Sequence, residues 1–354
     1  MSKRGVMIGR VIAVNLGLLA LGLLVVELVF GAWFSAVGFS PVRVTRDVRI
    51  VFDARAYYPE GGSFEYRRDQ HGLRGQYANV GAIDILAIGG STTNELYVGE
   101  GRTWTDVLAA TFRANGRAVD VANAGIDGQS TLGHIRNFDD WFPTIPGLKA
   151  RYVLAYIGIN DVHVEGQSQY DSVAPLTSSS RLHRWVSDRS ALYRLQRTIK
   201  GALNARQARV LHAETDWSKL SWQEAPLPDT DADSAADTDR AAIDAYGKRV
   251  KALIDRIRAF GAQPIIVTQH RGTYRRDNDR LWVLKTVGVA DLVTQSRFNR
   301  RAMEVCRDEA AICIDLGAEI AFQPGDFQDF VHTTPSGSRR VGEYLYARLK
   351  DQIR

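Results

Sequence analysis

The amino-acid sequence predicts an α/β fold, a three-layer α/β/α sandwich around a five-stranded parallel sheet, preceded by a transmembrane helix. The first observation is a set of five short apolar runs with few charges, which is typical of strands buried on both faces. The second is the presence of helical segments between these runs, because strands that alternate with helices pair in parallel. The third is one long apolar run near the N-terminus.

The first strand is predicted at residues 84–88, where five of the six residues from 83 to 88 are apolar and two glycines follow. A helix follows at 103–115, because its apolar residues recur at helical spacing and Gly116 ends it. Short apolar runs predict the other four strands at 119–125, 152–158, 264–268 and 312–316. The remaining helices are predicted at 130–141, 241–260, 291–307 and 336–353.

Residues 11–34 form an almost wholly apolar run, longer than the roughly 20 residues that a membrane-spanning helix needs. A cleaved signal peptide has a shorter apolar region of about 7 to 15 residues, so an uncleaved anchor is favoured over that alternative. Lys3, Arg4 and Arg10 predict a cytoplasmic N-terminus, although three arginines after the run oppose this orientation. Glu27 lies within the run and either faces its outer boundary or pairs with another membrane protein.

The composition narrows the class of protein. The chain has 354 residues, of which 45% are hydrophobic and 24% charged, an ordinary globular balance. The net charge of +5 is modest and includes the basic residues before the apolar run, so nucleic acid is not expected as a partner. Cys306 and Cys313 are the two cysteines, and either a disulfide or two buried thiols is consistent with the sequence.

The predicted organisation has three parts. Residues 1–34 are the cytoplasmic N-terminus and anchor, 35–82 a juxtamembrane lead-in, and 83–354 the main domain. An insertion at about 165–240 interrupts the alternation of strands and helices. The tryptophans of the insertion either stack on sugar rings or form a small core of their own: Trp185, Trp217 and Trp222. Four arginines after the fourth strand are expected on a solvated surface, with contact to an anionic substrate as the alternative: Arg271, Arg275, Arg276 and Arg280.

Ser91 follows the first strand at a tight turn into a helix. The carboxyl edge of an open α/β sheet is where such folds bind their ligands, so an exposed hydroxyl there is a candidate nucleophile. A serine nucleophile needs a base, a group that orients the base, and donors for the oxyanion. His332 and Asp329 lie together in the loop before the last helix, where both can return to the same edge.

Four segments, in order and on the expected elements, resemble the four blocks of the SGNH (GDSL-type) hydrolases. These are Gly89-Gly90-Ser91-Thr92-Thr93, Gly125, Gly158-Ile159-Asn160-Asp161 and Asp329-Phe330-Val331-His332. Leu73-Arg74-Gly75 is similar to the lead-in of membrane-anchored bacterial members. The resemblance covers roughly residues 70–352 apart from the insertion, and it implies a flavodoxin-like sandwich.

The resemblance also implies the roles of individual residues. Ser91 is the expected nucleophile, His332 the general base and then acid, and Asp329 its orienting partner. The backbone N–H groups of Ser91 and Gly125 and the side-chain amide of Asn160 are the expected oxyanion hole. One position departs from the family pattern of Gly-Asp-Ser-Leu, because Gly90 replaces the aspartate and lacks its side-chain hydrogen bonds.

The expected function is that of a serine esterase or acyltransferase, anchored in a bacterial inner membrane with its domain in the periplasm or outside the cell. Acyl, especially acetyl, esters of cell-envelope glycans are the expected substrates, and no cofactor or metal is expected. One alternative is a catalytically weak glycan-binding or assembly subunit. The other is a flavodoxin-like phosphate or nucleotide binder, which is disfavoured because no Gly-Lys-Ser/Thr follows and because it leaves Asn160 and His332 without a role.

Overall fold

The computed structural model describes residues 3–31, 33–34, 42, 44–55, 57–58, 61–164, 215–226, 237–277 and 280–353, with isolated positions between 186 and 199. The chain divides into two compact units. One unit comprises Met1–Pro41 and Pro175–Ala208, and the other Val42–Ala174 and Arg209–Arg354. Trp185 and most of the predicted insertion lie outside the described residues.

The first unit contains helix α1 (Lys3–Phe30). Its part Gly9–Phe30 has a mean hydropathy of 2.4 and is long and apolar enough to cross a membrane, properties that a signal sequence shares. Glu27 accepts hydrogen bonds from Trp33 Nε1 at 2.9 Å, from the backbone N–H groups of Ala191 and Leu192, and from the hydroxyl of Ser190. The carboxylate therefore has donors from its own chain within this unit.

The second unit begins with an antiparallel hairpin of strands β1 (Val48–Asp53) and β2 (Ser63–Arg68). The sequence predicts only an irregular lead-in here, because both strands are half-exposed and carry several charges. After the hairpin, Arg74 exchanges two backbone hydrogen bonds of 2.9 Å with Asn123 and is almost wholly buried. The lead-in from residue 44 to 82 therefore packs in the same unit as the main sheet.

The main sheet is parallel and consists of strands β3 (Ile83–Gly89), β4 (Val121–Asn123), β5 (Ala150–Tyr156), β7 (Gln263–Val267) and β10 (Ile312–Ile314). Their spatial order is β10-β7-β5-β3-β4. All five predicted strands are confirmed. Strand β3 lies between β4 and β5, so the turn after it lies near the carboxyl ends of both neighbours.

Helices cover both faces of this sheet and confirm the three-layer sandwich. They are α2 (Ser91–Asn94), α3 (Trp104–Ala114), α4 (Thr131–Asp140), α5 (Asp237–Ala259), α6 (Gly288–Asp308), α7 (Leu316–Glu319) and α8 (Pro335–Leu349). Buried residues of α4, α5 and α6 form one apolar cluster with the sheet, as Phe138, Val250 and Phe298 illustrate. Residues of α3 and α8 form the other, including Leu108, Phe112 and Leu345.

A second sheet is antiparallel, with strands β6 (Trp222–Ala225), β8 (Tyr274–Asp277) and β9 (Arg280–Leu284) in the order β6-β9-β8. The sequence does not predict it, because each strand has only four or five residues and three of the four in β8 are charged. The arginine-rich segment after β7 is thus a hairpin, and part of the insertion is a strand paired with it.

Cys306 and Cys313 form a disulfide between the end of α6 and strand β10, with their Cα atoms 5.9 Å apart. The sequence leaves the disulfide and two free thiols as open alternatives. A turn of seven residues' separation brings the two Cα atoms within the usual range for a disulfide, which is about 4.4–6.8 Å.

Candidate active site

Ser91 is the first residue of α2, directly after strand β3 and Gly90. The turn is closed by backbone hydrogen bonds from Thr93 N and Asn94 N to Gly90 O, at 3.0 and 2.9 Å. The first N–H groups of a helix have no acceptor within the helix, so the Ser91 N–H is placed as a donor near its own hydroxyl. The serine is therefore held at the carboxyl edge of the sheet, as the sequence predicts.

The structure brings Ser91, His332 and Asp329 together. His332 Nε2 lies 2.7 Å from Ser91 Oγ, and His332 Nδ1 lies 2.7 Å from Asp329 Oδ2. An ionised carboxylate can only accept a hydrogen bond, so Nδ1 carries a hydrogen and donates a hydrogen bond to Asp329, which leaves Nε2 as the acceptor for the serine hydroxyl. The three side chains, from loops 241 residues apart, form one chain of hydrogen bonds.

The Asp329 carboxylate is oriented by its own loop. Its Oδ1 accepts the backbone N–H groups of Val331 at 2.8 Å and His332 at 2.6 Å. The base of the loop is closed by an antiparallel bridge between Phe327 and Thr333 and by Gln328 N donating to His332 O at 2.9 Å. The Asp–x–x–His spacing thus lets one carboxylate bind the backbone and the imidazole of the same residue.

The predicted oxyanion donors Gly125 and Asn160 differ in whether they have a hydrogen left to donate to a substrate. The Gly125 N–H, which the resemblance assigns to the oxyanion hole, donates to Asn123 Oδ1 at 2.9 Å. A backbone amide has a single hydrogen, so in this structure Gly125 is committed to a protein acceptor. Asn160 Nδ2 donates to Gln129 O at 2.8 Å, but an amide NH₂ has two hydrogens and retains a second donor.

The space around Gly90 accounts for the departure from the family pattern at this position. A Cβ atom at this position would lie 2.5 Å from Asn160 Nδ2 and 3.2 Å from Gln129 O. Any side chain at position 90 would therefore displace the Asn160 amide or the carbonyl that orients it. In this chain the missing aspartate leaves room for close approach of a predicted oxyanion donor.

Glu95 is a buried carboxyl group that the sequence interpretation missed. It accepts hydrogen bonds from Trp104 N at 2.7 Å, from the Thr333 hydroxyl at 3.0 Å and from the Ser338 hydroxyl. Burial raises the pKa of Glu95 to about 7, and these hydrogen bonds together with Arg74 oppose the rise. Glu95 directly follows α2 and Thr333 directly follows His332, so one carboxyl group joins the serine turn to the histidine loop.

Two further polar residues fix the site, and neither was predicted. Gln269 follows β7, donates to Thr92 Oγ1 at 2.7 Å and accepts the Ile159 N–H at 2.7 Å. Arg68 of β2 is buried and donates to Asn94 Oδ1 at 2.6 Å and to Gly125 O. Gln269 lies two residues after the apolar strand β7, a position that could have indicated it; Arg68 has no such signal in the sequence.

A parallel α/β/α sandwich with serine, histidine and aspartate hydrogen-bonded at its carboxyl edge is typical of a serine hydrolase. The chain belongs to the GDSL-like lipase/acylhydrolase family, whose model matches residues 87–340 and so includes every predicted site residue. It is thus a member of a family of hydrolases, and no curated protein matches its sequence.

Several solved structures are similar to this chain. TesA is 13% identical, with a TM-score of 0.43, covering 76% of this chain and 98% of its own. A variant of the acetyl xylan esterase Axe2 from Geobacillus stearothermophilus is 14% identical, with a TM-score of 0.42 and coverages of 75% and 94%. The esterase EstA from Pseudoalteromonas sp. is 12% identical, with a TM-score of 0.42 and coverages of 76% and 97%. At this identity and TM-score, the likeness carries no information about the substrate.

Proposed function

We propose that this chain is a serine esterase that acts through an acyl-Ser91 intermediate on acetyl or other acyl esters of cell-envelope glycans. The observation that carries the proposal is the pair of 2.7 Å contacts that link Ser91 Oγ, His332 and Asp329. A serine hydroxyl is a weak nucleophile until a neighbouring base takes its proton, and this arrangement provides that base.

In the first half of the reaction, Ser91 Oγ attacks the ester carbonyl while His332 Nε2 takes the hydroxyl proton. Asp329 stabilises the imidazolium that forms. The Ser91 N–H and the second hydrogen of the Asn160 amide stabilise the oxyanion. When the tetrahedral intermediate collapses, the bond to the alcohol breaks, and His332 gives its proton to the departing alkoxide oxygen.

In the second half, water loses a proton to His332 and attacks the acyl-serine carbonyl. The carboxylic acid leaves, and the proton returns from His332 to Ser91 Oγ. If a sugar hydroxyl enters in place of water, the same residues transfer the acyl group to that sugar. Esterase and acyltransferase therefore differ only in the acceptor that reaches the acyl-enzyme.

The proposed location is the outer side of a bacterial inner membrane, where envelope glycans lie. The apolar helix Gly9–Phe30 supports an anchor, and the basic residues Lys3, Arg4 and Arg10 before it support a cytoplasmic N-terminus. The disulfide between Cys306 and Cys313 supports an oxidising compartment for the second unit. A further membrane protein that pairs with α1 remains part of the proposal.

The alternative function is a catalytically weak glycan-binding or assembly subunit. One observation favours it, because the Gly125 N–H is engaged with Asn123 and is not directed at a substrate oxygen. A member of the family that had lost acyl transfer would still keep the shape of the site.

Labelling with a fluorophosphonate tests the proposal against this alternative. The full chain is expected to label and to hydrolyse p-nitrophenyl acetate, because both reactions need an activated serine. Ser91→Ala removes the nucleophile and is the matched control, which must lose both signals. If the wild-type chain neither labels nor hydrolyses any ester, the esterase proposal is wrong and the binding-subunit alternative replaces it.

The topology has its own test. An alkaline phosphatase fused after Arg354 is expected to be active, because this reporter folds only outside the cytoplasm. A cytoplasmic reporter at the same position is expected to be inactive. The reverse result would show that the orientation is opposite to the one proposed, and envelope glycans would then not be substrates.

A further inference from the structure

A cavity of 200 Å³ lies between the second sheet and the segment that precedes the histidine loop. Its floor consists of the buried aromatic residues Tyr274, Phe322 and Phe327. Its rim includes Trp217, Trp222 and Arg275 together with the exposed residues 323–325. The cavity thus combines an apolar floor with a polar and aromatic rim.

The cavity lies beside the candidate active site without including it. Phe327 lines the cavity and lies two residues before Asp329, and the Trp217 ring contacts that of Phe330 edge-on at 5.9 Å. Gly272, another lining residue, donates its N–H to Phe330 O at 2.9 Å. Neither Ser91 nor His332 lines the cavity, so a ligand bound there would not occupy the position of the reacting ester.

The rim offers donors for a ligand that carries oxygen atoms. The guanidinium of Arg275 lies 4.6 Å from the centre of the Trp222 ring, and its N–H groups are donors at the rim. An acyl chain would satisfy none of these donors.

We propose that this cavity is a subsite for one sugar ring of the glycan chain, adjacent to the sugar that carries the ester. Its volume of 200 Å³ is below the roughly 300–1,000 Å³ typical of sites for drug-sized ligands, which suits a single ring. Aromatic side chains pack against the apolar faces of such a ring, while the guanidinium N–H groups of Arg275 bind its hydroxyls. This inference rests on the proposed function, since it deepens the substrate of the same site.

The subsite explains two features that the sequence leaves open. Trp217 and Trp222 stack on each other with their ring centroids 6.4 Å apart. They belong to the main domain and not to a separate core, because Trp222 lies in β6, paired with β9, and Trp217 packs on Phe330. Of the arginines after β7, Arg275 lines the cavity, whereas the neighbouring Arg276 is exposed and does not. The insertion therefore contributes one wall of the cavity, and the others come from β8 and from residues 322–327 before the histidine loop.

The test compares two esters with the full chain in detergent: chemically O-acetylated cellotetraose and O-acetylated methyl glucoside. The wild type is expected to prefer the tetraose in kcat/KM. Trp222→Ala and Arg275→Gln are expected to lower the tetraose-to-glucoside ratio by about tenfold, mainly through KM, because each removes part of the rim. Arg276→Gln is the matched control and should keep the wild-type ratio. Trp217 is left unchanged because its ring packs on the histidine loop.

Each of the following outcomes would overturn the subsite. A wild type with no preference for the tetraose, or variants that keep the preference, would reject it while p-nitrophenyl acetate turnover upheld the esterase. A preference for p-nitrophenyl octanoate over acetate that Trp222→Ala abolishes would assign the cavity to an acyl chain. If the wild type turns over no ester, calorimetry can still measure the binding of cellotetraose to Ser91→Ala and to Ser91→Ala/Trp222→Ala. Equal affinities of the two variants, or no binding to either, would reject the subsite.

Discussion

The two halves of the candidate site differ in how their polar groups are engaged. On the triad side, Ser91, His332 and Asp329 are hydrogen-bonded to one another in the order that proton transfer needs. On the oxyanion side, the N–H of Gly125 and one hydrogen of the Asn160 amide are donated to protein acceptors. The contacts that the proposed proton transfer needs are thus already made, whereas two of the three proposed oxyanion donors, Gly125 and Asn160, also donate to protein acceptors.

The difference separates Asn160 from Gly125. Asn160 can keep its bond to Gln129 and still donate its second hydrogen, but Gly125 must leave or share its bond to Asn123. Hydrogen bonds of catalytic groups often reach their working geometry only in the complex with substrate. We therefore expect Asn160 to contribute more to the oxyanion than Gly125 does.

The largest expected effect breaks the triad side. His332→Ala leaves Ser91 without a base, so kcat for p-nitrophenyl acetate is expected to fall on the order of 10⁴- to 10⁶-fold. Fluorophosphonate labelling should fall with it, because the same base activates the serine. Turnover within tenfold of wild type would show that another group takes the proton and that the 2.7 Å contact to Ser91 is not used.

A smaller effect is expected when the oxyanion side is cut. Asn160→Ala leaves the triad in place but removes one donor, so kcat should fall on the order of 10²- to 10³-fold with little change in KM. Circular dichroism should show a folded chain. Full turnover by Asn160→Ala, with Ser91→Ala inactive, would keep the serine chemistry and remove Asn160 from the oxyanion hole.

Glu95 tests the framework that joins the two loops. Its pKa is about 7 in the folded chain against a reference of 4.5, because burial disfavours the ionised form. Between pH 4.5 and about pH 7, Glu95 keeps its proton in the folded state and has lost it in the unfolded state. The free energy of unfolding therefore falls as pH rises. The total fall is about 3 kcal/mol, and it is complete above pH 7.

Glu95→Gln cannot ionise, so it should lack this fall. Urea unfolding of both proteins at pH 4.5 and pH 8 measures the difference, and Glu100→Gln, at the partly exposed partner of Arg74, is the matched control. We expect the stability of wild type relative to Glu95→Gln to decrease from pH 4.5 to pH 8. An unchanged difference would mean that Glu95 stays ionised throughout, supported by its three donors and Arg74.

The sequence predicts the main sheet but not the two smaller ones. Strands such as β3 and β5 are buried on both faces, and this leaves continuous apolar runs. The strands of the hairpin β1–β2 and of the sheet β6-β9-β8 are half-exposed, and charged residues interrupt their patterns. Whether such a segment forms a strand depends on the segment with which it pairs, and a local sequence pattern does not show that partner.

The site follows the same division. Ser91 directly follows a predicted strand, Asp329 and His332 lie in the loop before the last predicted helix, and a known family pattern includes all three. Glu95 and Thr333 are 238 residues apart, and Gln269 and Thr92 are 177 apart, so no local spacing relates them. The pairing of Gly125 with Asn123 depends on loop conformation, which is why the predicted donor is found engaged.

The smallest expected effect on the chemistry comes from the disulfide, which serves to separate stability from function. Cys306 and Cys313 join α6 to β10, and in the sheet β10 is separated from β3 by β7 and β5. Replacing both by alanine releases a closed loop of few residues, which should cost roughly 2 kcal/mol of unfolding free energy. Neither half of the candidate site loses a hydrogen bond, so kcat and KM for p-nitrophenyl acetate should match wild type. Urea unfolding and steady-state kinetics on the same preparation measure both.

A loss of stability without a loss of activity would show that the large falls in kcat expected for His332→Ala and Asn160→Ala come from lost catalytic groups and not from destabilisation. A parallel loss of kcat would mean that destabilisation far from the candidate site also lowers its activity.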